Sequence, residues 1–198
     1  MKLYGTPSSP FVRKLRVLIK EKSVSVEFIA LTSAADAQVS ARNPLGKVPV
    51  FERDDGAVLF DSPVIAQYLD VLSAPALIPA SGEPRWSVLR WEALADGIMD
   101  ASVLRLLETR RAAEHQSADV MKQQEGKVAR AMGFAESQLN GPWLVGDRFG
   151  YADIALVSAL EYVDLRYPHD WRASFPRLAQ WHGALATRAA FAETRPPK

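Results

Sequence analysis

The segment NPLGKVPV at residues 43–50 limits how the first part of the chain can fold, because a proline stands inside what otherwise has the composition of a β-strand. Proline has no N–H to donate to a β-ladder, so the strand must lie at a sheet edge or break off at Pro49. If the Val48–Pro49 bond is cis, the chain turns and the backbone of Val48 can pair with a group outside the sheet. The alternative is an ordinary edge-strand proline with a trans bond, which is the commoner form.

Short strands and helices alternate on both sides of this segment. Apolar runs and alternation predict four strands, and apolar residues at helical spacing predict three helices. The strands are expected at 2–4, 24–31, 48–52 and 58–60, and the helices at 10–22, 34–42 and 62–72. The predicted order is βαβαββα, with the turn signal Asp54-Asp55-Gly56 between the last two strands.

The remainder of the chain is rich in Ala and Leu and has a helical pattern throughout. Helices are predicted at 85–115, 118–139 and 151–166, and from 175 or 176 to 188. Three prolines and a glycine between 73 and 84 deny the chain a continuous helix there. The sequence thus predicts an α/β domain over 1–74, a linker over 75–84 and an all-helical domain over 85–198.

The composition excludes several classes of function. The chain carries 24 Lys and Arg against 23 Asp and Glu, so it has no excess of basic residues for binding nucleic acid. Cysteine is absent, which excludes disulfides, Cys-ligated zinc, iron–sulfur clusters and any reaction of the protein's own thiol. Asp96 and Asp100 share a helix face, but no third ligand has a suitable spacing, so no metal site is predicted.

The sequence also carries no targeting signal of the secretory kind. The first residues contain no apolar segment after Lys2, and no later run approaches about 18 uninterrupted apolar residues. A cytoplasmic location without membrane attachment is therefore expected. Any redox chemistry would need a thiol supplied by a ligand.

Two of the predicted helices begin in the same way, with Ser9-Pro10 and Ser62-Pro63. Serine is a favoured N-cap, and proline is favoured at the first helical position. The exposed N–H groups of a helix N-terminus, together with the positive end of its dipole, form a site for an anion. Capping alone is the favoured explanation of either start by itself, but it is less satisfactory for two such starts in one small domain.

Taken together, these motifs resemble those of the cytosolic glutathione S-transferase superfamily. The resemblance is carried by SPFVRKL at residues 9–15, NPLGKVPV at 43–50, DSPVI at 61–65, GDRF at 146–149 and ADI at 152–154. Their order and spacing match over essentially the whole chain. The resemblance implies an α/β thioredoxin-like N-terminal domain with a mixed sheet, which binds glutathione, and an all-α C-terminal helical bundle, which supplies the walls of a second-substrate pocket.

The resemblance also implies the contacts with glutathione, residue by residue. Pro49 matches the family's cis-proline, and Val48 would pair through its backbone with the cysteinyl part of glutathione. Asp61 and Ser62 match the pair that holds the γ-glutamyl end, with the α-carboxylate at the helix N-terminus and the acid facing the amino group. Lys47 matches the cation near the glycyl carboxylate.

Ser9 falls where related classes keep the residue that meets the glutathione sulfur, and Phe11 of the same motif is expected in the binding site with it. A thiol with a pKa near 8.5 must lose roughly 2 units, about 2.7 kcal/mol, to be mostly thiolate at neutral pH. A hydroxyl donor supplies roughly 1.5 to 3 kcal/mol and a helix N-terminus roughly 0.3 to 1 kcal/mol, which together suffice. Ser8 and Thr6 are the competing hydroxyls, and Ser9 is favoured because it alone caps the helix.

The chain departs from the family pattern in two places. Gly150 stands where the helical domain usually has a Ser or Thr N-cap, so Asp153 can reach back to the backbone without the reciprocal hydroxyl bond. The lack of any Cys argues against the glutaredoxin-like and dehydroascorbate-reducing branches. The residues in the region expected for the second substrate can equally be helical core, and they are Met99, Val103, Leu107, Tyr162 and Arg166, with Phe11.

The function that the resemblance implies is conjugation of glutathione to a small hydrophobic electrophile by a cytoplasmic homodimer, a detoxification reaction. One alternative is a non-catalytic protein on the same fold that binds glutathione or another ligand, or regulates a partner. A second alternative is a glutathione-dependent isomerase or dehalogenase. The residues do not identify the second substrate.

Overall fold

The computed structural model of the chain describes residues 1–196, and these form two compact units. The first unit contains Met1–Ala80 together with the described residues from Arg188 onward, and the second contains Ser81–Thr187. The first unit holds all four strands of the described chain, whereas the second is helical. The predicted α/β part and all-helical part are therefore both confirmed.

The strands of the first unit form one mixed sheet. They are β1 (Lys2–Gly5), β2 (Glu27–Ala30), β3 (Val50–Glu52) and β4 (Val58–Phe60), in the spatial order β2-β1-β3-β4. Strand β1 pairs parallel to β2 and antiparallel to β3, and β3 pairs antiparallel to β4. Strand β3 begins one residue after Pro49, which has no N–H to continue the ladder.

Three helices connect these strands in the predicted βαβαββα order. They are α1 (Pro10–Glu21), α2 (Ala37–Ser40) and α3 (Ser62–Asp70). The prediction of a helix over 34–42 was too long, because the Asp36 carboxylate accepts a hydrogen bond from the Gln38 N–H and caps the helix only there. The result is a single helical turn that ends before Asn43-Pro44.

The two faces of the sheet are covered by different helices. Neighbouring residues on a strand point to opposite faces, so Phe51 and Val50 of β3 face different layers. The ring of Phe51 contacts Tyr68 of α3, with 5.6 Å between the centroids. Val50 packs instead with Tyr4 and with Val39 of α2. Burial on both faces holds the loops at the sheet end in place.

A buried ion pair joins the ends of α1 and α3 and changes the predicted linker. The ammonium of Lys22 lies 3.2 Å from Oδ1 of Asp70, and both side chains are 2% exposed. The Asp70 carboxylate also accepts hydrogen bonds from the N–H groups of Leu77 and Ile78. The predicted linker over 75–84 is therefore tied to the first unit through part of its length, and the next helix already begins at Gly82.

The predicted helical domain over 85–198 requires a second correction at its C-terminal end. The guanidinium of Arg188 donates two hydrogen bonds, of 2.9 and 2.7 Å, to the Glu21 carboxylate of α1. A short helix, α8 (Ala189–Ala192), follows, and its Phe191 is fully buried. These contacts place the described residues from Arg188 onward in the first unit.

The second unit is a helical bundle of α4 (Gly82–Thr109), α5 (Ala118–Gln138), α6 (Tyr151–Arg166) and α7 (Pro176–Leu185). Helix α6 is its centre, because its first ten residues are all buried and it packs on α4. The Tyr151 hydroxyl donates to the Glu92 carboxylate of α4 at 2.9 Å. Within residues 1–196, no helix is both long enough and apolar enough to cross a membrane.

The start of α6 confirms the predicted half of a capping box. The Asp153 carboxylate accepts a hydrogen bond of 2.8 Å from the Gly150 N–H, which precedes the helix. Its other oxygen accepts one of 2.9 Å from the Leu144 N–H. Two backbone donors of the preceding loop are thereby satisfied without a hydroxyl at position 150.

Gly5, the last residue of β1, allows α1 to pack directly on the strand. A Cβ atom at this position would lie 2.3 Å from Cγ2 of Val12, closer than any real contact. We expect Gly5→Ala to lower the free energy of unfolding by about 1–3 kcal/mol, since Val12 must shift. Gly97→Ala in α4 is the control, because nothing lies within 4 Å of its Cβ position and alanine favours a helix by about 0.5–1 kcal/mol.

Urea unfolding followed by circular dichroism measures both changes. The companion variant Gly5→Ala/Val12→Ala should recover part of the loss, because the new methyl group then occupies the space that Val12 vacates. An unfolding midpoint for Gly5→Ala equal to that of the unaltered chain would contradict this account of the packing.

Candidate functional site

The strand register brings three loops together at one end of the sheet. Tyr4 of β1 pairs with Val50 at the start of β3, and Val50 pairs with Phe60 at the end of β4. The loop that leaves β1, the loop that enters β3 and the loop that leaves β4 therefore emerge at the same edge. These loops carry the residues that the sequence singled out at 9, 47–49 and 61–62.

Ser9 is the N-cap of α1, as predicted. Its Oγ accepts a hydrogen bond from the Val12 N–H at 3.4 Å, and its own N–H donates to the Thr6 carbonyl at 3.0 Å. Because the oxygen is the acceptor in the cap, the hydroxyl proton can be donated to a ligand. Ser8 and Thr6 lie in the turn before the helix and do not cap it.

The Val48–Pro49 bond is cis, and Pro49 is buried. Within residues 1–196, the backbone N–H and C=O of Val48 form no hydrogen bond. Val48 itself is partly exposed. A donor and an acceptor are therefore available side by side to pair with an extended peptide-like ligand.

The loop before Val48 is held by Asn43, a contribution that the sequence reasoning missed. Asn43 is 2% exposed, and its amide donates to the Lys47 carbonyl at 2.8 Å while its Oδ1 accepts from the Leu45 N–H at 3.0 Å. Gly46 completes the turn with φ of +62°, a conformation that glycine adopts without strain. The signal was present in the sequence, because Asn before Pro is typical of a side-chain-stabilised turn.

Asp61 and Ser62 form the start of α3, and both are unusual. Asp61 has φ of +69°, a region that costs a non-glycine residue about 1–3 kcal/mol, and its carboxylate is exposed. Ser62 is 1% exposed, and its Oγ has no hydrogen-bond partner within residues 1–196. Buried hydroxyls normally have a partner, so the Ser62 hydroxyl is available to donate a hydrogen bond to a ligand.

The remaining predicted residues are Lys47, on the loop before Val48, and Phe11, at the start of α1. Lys47 is exposed and forms no ion pair with any of residues 1–196. Phe11 is partly buried in the first turn of α1, next to the Ser9 cap. The arrangement as a whole can bind an extended, charged, peptide-like molecule, because it offers helix N-termini, unpaired backbone groups, a carboxylate and a cation.

The residues predicted for the second substrate do not share one kind of environment. Met99 and Tyr162 are buried, Val103 and Arg166 are partly exposed, and Leu107 is 53% exposed. The described part of the chain contains no group of three or more His, Asp or Glu residues arranged to hold a metal ion.

Comparison with known proteins identifies the family. Residues 3–76 match the model of the glutathione S-transferase N-terminal domain, and residues 103–184 match that of the C-terminal domain. The GST-like protein YibF of Escherichia coli K12 is 41% identical over 201 residues, which cover the whole of both chains. The chain belongs to the glutathione S-transferase superfamily. The first unit is accordingly the thioredoxin-like domain of a glutathione S-transferase fold.

Solved structures support the same assignment. A glutathione S-transferase of Methylobacillus flagellatus, solved with glutathione bound, superposes with a TM-score of 0.94 and 39% identity over 99% of each chain. A glutathione transferase family member of Pseudomonas fluorescens Pf-5, with bound glutathione, superposes with a TM-score of 0.91 and 39% identity over 100% of this chain and 99% of that one. That bacterial protein has also been solved with S-(propanoic acid)-glutathione.

The unpaired hydroxyl of Ser62 generates a stability prediction. Removing a buried polar group that lacks a partner removes its desolvation cost, which is about 1–3 kcal/mol. We therefore expect Ser62→Ala to leave the free energy of unfolding of the ligand-free chain unchanged or to raise it. Ser158→Ala in α6 is a matched control, because Ser158 is also buried and its Oγ also lacks a partner within residues 1–196. A loss above about 1 kcal/mol in Ser62→Ala, measured by urea unfolding, would show that the hydroxyl is satisfied in the free protein.

Proposed function

We propose that this protein binds glutathione at the sheet edge and conjugates its sulfur to a small hydrophobic electrophile. The observation that carries the proposal is the buried, unpaired hydroxyl of Ser62 at the N-terminus of α3. A carboxylate is the acceptor that best suits a hydroxyl donor beside helix N–H groups. The γ-glutamyl end of glutathione carries one, and related structures of 39% identity hold glutathione.

The other contacts follow from the groups that surround Ser62 in the fold. The exposed carboxylate of Asp61 pairs with the amino group of the γ-glutamyl residue. The unpaired N–H and C=O of Val48 pair with the backbone of the cysteinyl residue, as a strand pairs with its neighbour. The exposed ammonium of Lys47 lies near the glycyl carboxylate. No metal takes part in this proposal.

Ser9 keeps the bound sulfur ionised. Its hydroxyl proton is free to donate to the thiolate, and the helix N-terminus adds the positive end of its dipole. The sulfur lone pair attacks the electrophilic carbon, a C–S bond forms, and the displaced electron pair leaves with a leaving group or passes onto an activated double bond. The thiol proton passes to solvent before the attack, so no partner base is needed.

The product of this step is a thioether of glutathione. The Pseudomonas fluorescens relative binds S-(propanoic acid)-glutathione, which is a compound of that class. A site that accepts such a thioether is compatible with conjugation, and a product that contains no glutathione would favour the isomerase alternative instead. A screen of substrates would identify the electrophile.

We further propose a homodimer in the cytoplasm, where the glutathione pool is reduced. Apolar side chains on the first unit support a second copy as partner, because Val71 is 77%, Leu45 67% and Val64 48% exposed. Val64 and Val71 are seven residues apart and so lie on the same side of α3, as the members of an apolar association surface would. Sedimentation velocity tests the dimer, and a monomer at micromolar concentration would exclude it.

The role of Ser9 is tested by Ser9→Ala. The pKa of the bound glutathione thiol should rise by about 1–2 units, because the variant loses a charge-assisted hydrogen bond of about 1.5–3 kcal/mol. Because the bound thiol is then less ionised at neutral pH, the rate there should fall roughly 3- to 25-fold, and the rising limb of the pH profile should move to higher pH. Thiolate ultraviolet absorbance measures the pKa, and a panel of aryl halides and Michael acceptors measures the rate.

The controls for this experiment are Ser8→Ala and Thr6→Ala, which should leave both quantities unchanged. An unshifted thiol pKa in Ser9→Ala would remove Ser9 from the mechanism. Binding of glutathione without turnover of any electrophile by the unaltered protein would favour the non-catalytic alternative.

The glutathione contact of Ser62 is tested by ligand-induced stabilisation. Glutathione at about 100 times its dissociation constant should stabilise the unaltered chain by about 2.7 kcal/mol. Ser62→Ala should weaken binding at least about tenfold, since it loses a hydrogen bond to a charged group. Ser158→Ala should bind glutathione as the unaltered chain does. Equal affinity in all three proteins would contradict the proposed carboxylate contact.

A further inference from the structure

The loop between α5 and α6 begins with the dipeptide Asn140-Gly141, which directly follows Leu139. An asparagine followed by glycine favours deamidation, because the backbone nitrogen of the second residue can attack the side-chain amide carbon and glycine has no Cβ atom to obstruct the approach. The chain contains one other asparagine, Asn43, which is followed by a proline. The structure shows which of these two residues has its reacting groups free.

The reacting groups of Asn140 and Gly141 are both free and exposed. Within residues 1–196, the Gly141 N–H and the side-chain amide of Asn140 form no hydrogen bond. Both residues are exposed to solvent, and nothing lies within 4 Å of the position that a Cβ atom would take on Gly141. The Gly141 nitrogen can therefore lose its proton to solvent base and turn toward the side chain without breaking a contact.

Asn43 meets none of these conditions. Its neighbour Pro44 has no N–H, so the nitrogen that would attack is already fully substituted. Asn43 is also 2% exposed, and its side-chain amide donates to the Lys47 carbonyl at 2.8 Å. We therefore expect Asn43 to stay intact under conditions in which Asn140 reacts.

The turn at Asp55-Gly56 is a second comparison within the chain, because an aspartate before glycine can form the same cyclic imide. The Gly56 N–H donates to the Arg53 carbonyl at 3.0 Å. The Asp55 carboxylate accepts a hydrogen bond of 3.0 Å from the Ala57 N–H and pairs with the Arg53 guanidinium at 2.7 Å. This turn has a favourable sequence, but both of its reacting groups are engaged.

The backbone on either side of Asn140 is held by α7. The Leu139 carbonyl accepts a hydrogen bond from the Arg177 guanidinium. The Pro142 carbonyl accepts one of 3.1 Å from the indole N–H of Trp181. A longer main chain between these two carbonyls would strain or break one of the two bonds, because covalent geometry fixes the span of the residues between them.

We propose that Asn140 is a site of deamidation, which proceeds by intramolecular attack and needs only water. The deprotonated Gly141 nitrogen bonds to Cγ of Asn140, and the side-chain nitrogen gains a proton and leaves as ammonia. Water then opens the cyclic imide. Breaking its new N–Cγ bond gives aspartate, whereas breaking the original peptide bond gives isoaspartate, whose main chain runs through Cβ and Cγ. No atom is oxidised or reduced in either step.

The two products differ in their effect on the loop. Both add a negative charge at position 140, but isoaspartate also adds one carbon atom to the main chain between the held carbonyls of Leu139 and Pro142. We therefore expect isoaspartate to lower the free energy of unfolding and aspartate to leave it nearly unchanged. This site does not depend on the proposed binding of glutathione, and it would stand if the transferase activity failed.

The experiment is incubation of the full chain for several weeks at physiological temperature and mildly alkaline pH. Peptide mapping by mass spectrometry then separates the asparagine, aspartate and isoaspartate forms. We expect conversion of Asn140 to both products, with Asn43 and Asp55 unchanged. The rate should increase with pH, because the attacking group is the deprotonated nitrogen. An intact Asn140, or conversion at a rate that does not depend on pH, would overturn the proposal.

A variant at position 141 tests the route of the reaction. Gly141→Ala keeps Asn140, and its methyl group fits the open space, since Gly141 is not among the residues of positive φ. The methyl group hinders closure of the imide, so conversion of Asn140 should slow several-fold while the circular dichroism spectrum stays that of the unaltered chain. Equal rates of conversion in the two proteins would overturn the intramolecular route.

A second variant separates the effect of charge from that of backbone length. Asn140→Asp carries the charge of the product without the additional carbon atom, so its unfolding midpoint in urea should match that of the fresh unaltered chain. The isoaspartate form, separated from the aged protein by ion-exchange chromatography, should unfold at a lower urea concentration. Equal midpoints for the isoaspartate form and Asn140→Asp would contradict the proposed strain in the loop.

Discussion

The register of a four-stranded sheet is the constraint on which the candidate site depends. Tyr4, Val50 and Phe60 stand opposite one another, so β1 and β4 end where β3 begins. Two helices then start at one edge, each with its unpaired N–H groups there, and Pro49 prevents β3 from extending into the space between them. A slip of one residue would turn every strand side chain to the other face, and the buried layers on both faces oppose that slip.

Much of this fold could be predicted from the sequence, and the errors have physical causes. Alternation and helical spacing report whether a segment is buried on one side, which is why the βαβαββα order and the bounds of α6 were correct. These patterns do not show which of the two units a segment packs against. The Asp70 carboxylate captures two N–H groups of the expected linker, and Arg188 returns the end of the chain to Glu21 of α1. Arg188 and Glu21 are far apart in sequence, and Asp70 reaches Leu77 and Ile78 across a loop, so neither contact has a signature in the helical or strand pattern.

For the candidate site too, some features could be predicted from the sequence and others could not. Ser9, Val48 and Ser62 could be named from motifs, because helix caps and a strand proline leave a pattern in the sequence. The sequence does not show their hydrogen-bonding state. Within residues 1–196, the hydroxyl of Ser62 is buried without a partner and the backbone of Val48 is unpaired.

The proposed glutathione contacts come from both the backbone and the side chains, and this affects how the sequences of such proteins can diverge. Some of the proposed glutathione contacts come from helix N-termini and from the backbone of Val48, which any sequence that keeps the sheet register supplies. The others come from the side chains of Lys47, Asp61 and Ser62. Relatives that share about 40% of their residues can therefore hold the same tripeptide. In the proposed mechanism, in contrast, ionisation of the sulfur rests mainly on the Ser9 hydroxyl, to which the helix N-terminus adds a smaller contribution. Under the proposed function, selection for a new electrophile would act on the residues that contact the second substrate, while the contacts that hold glutathione stay unchanged.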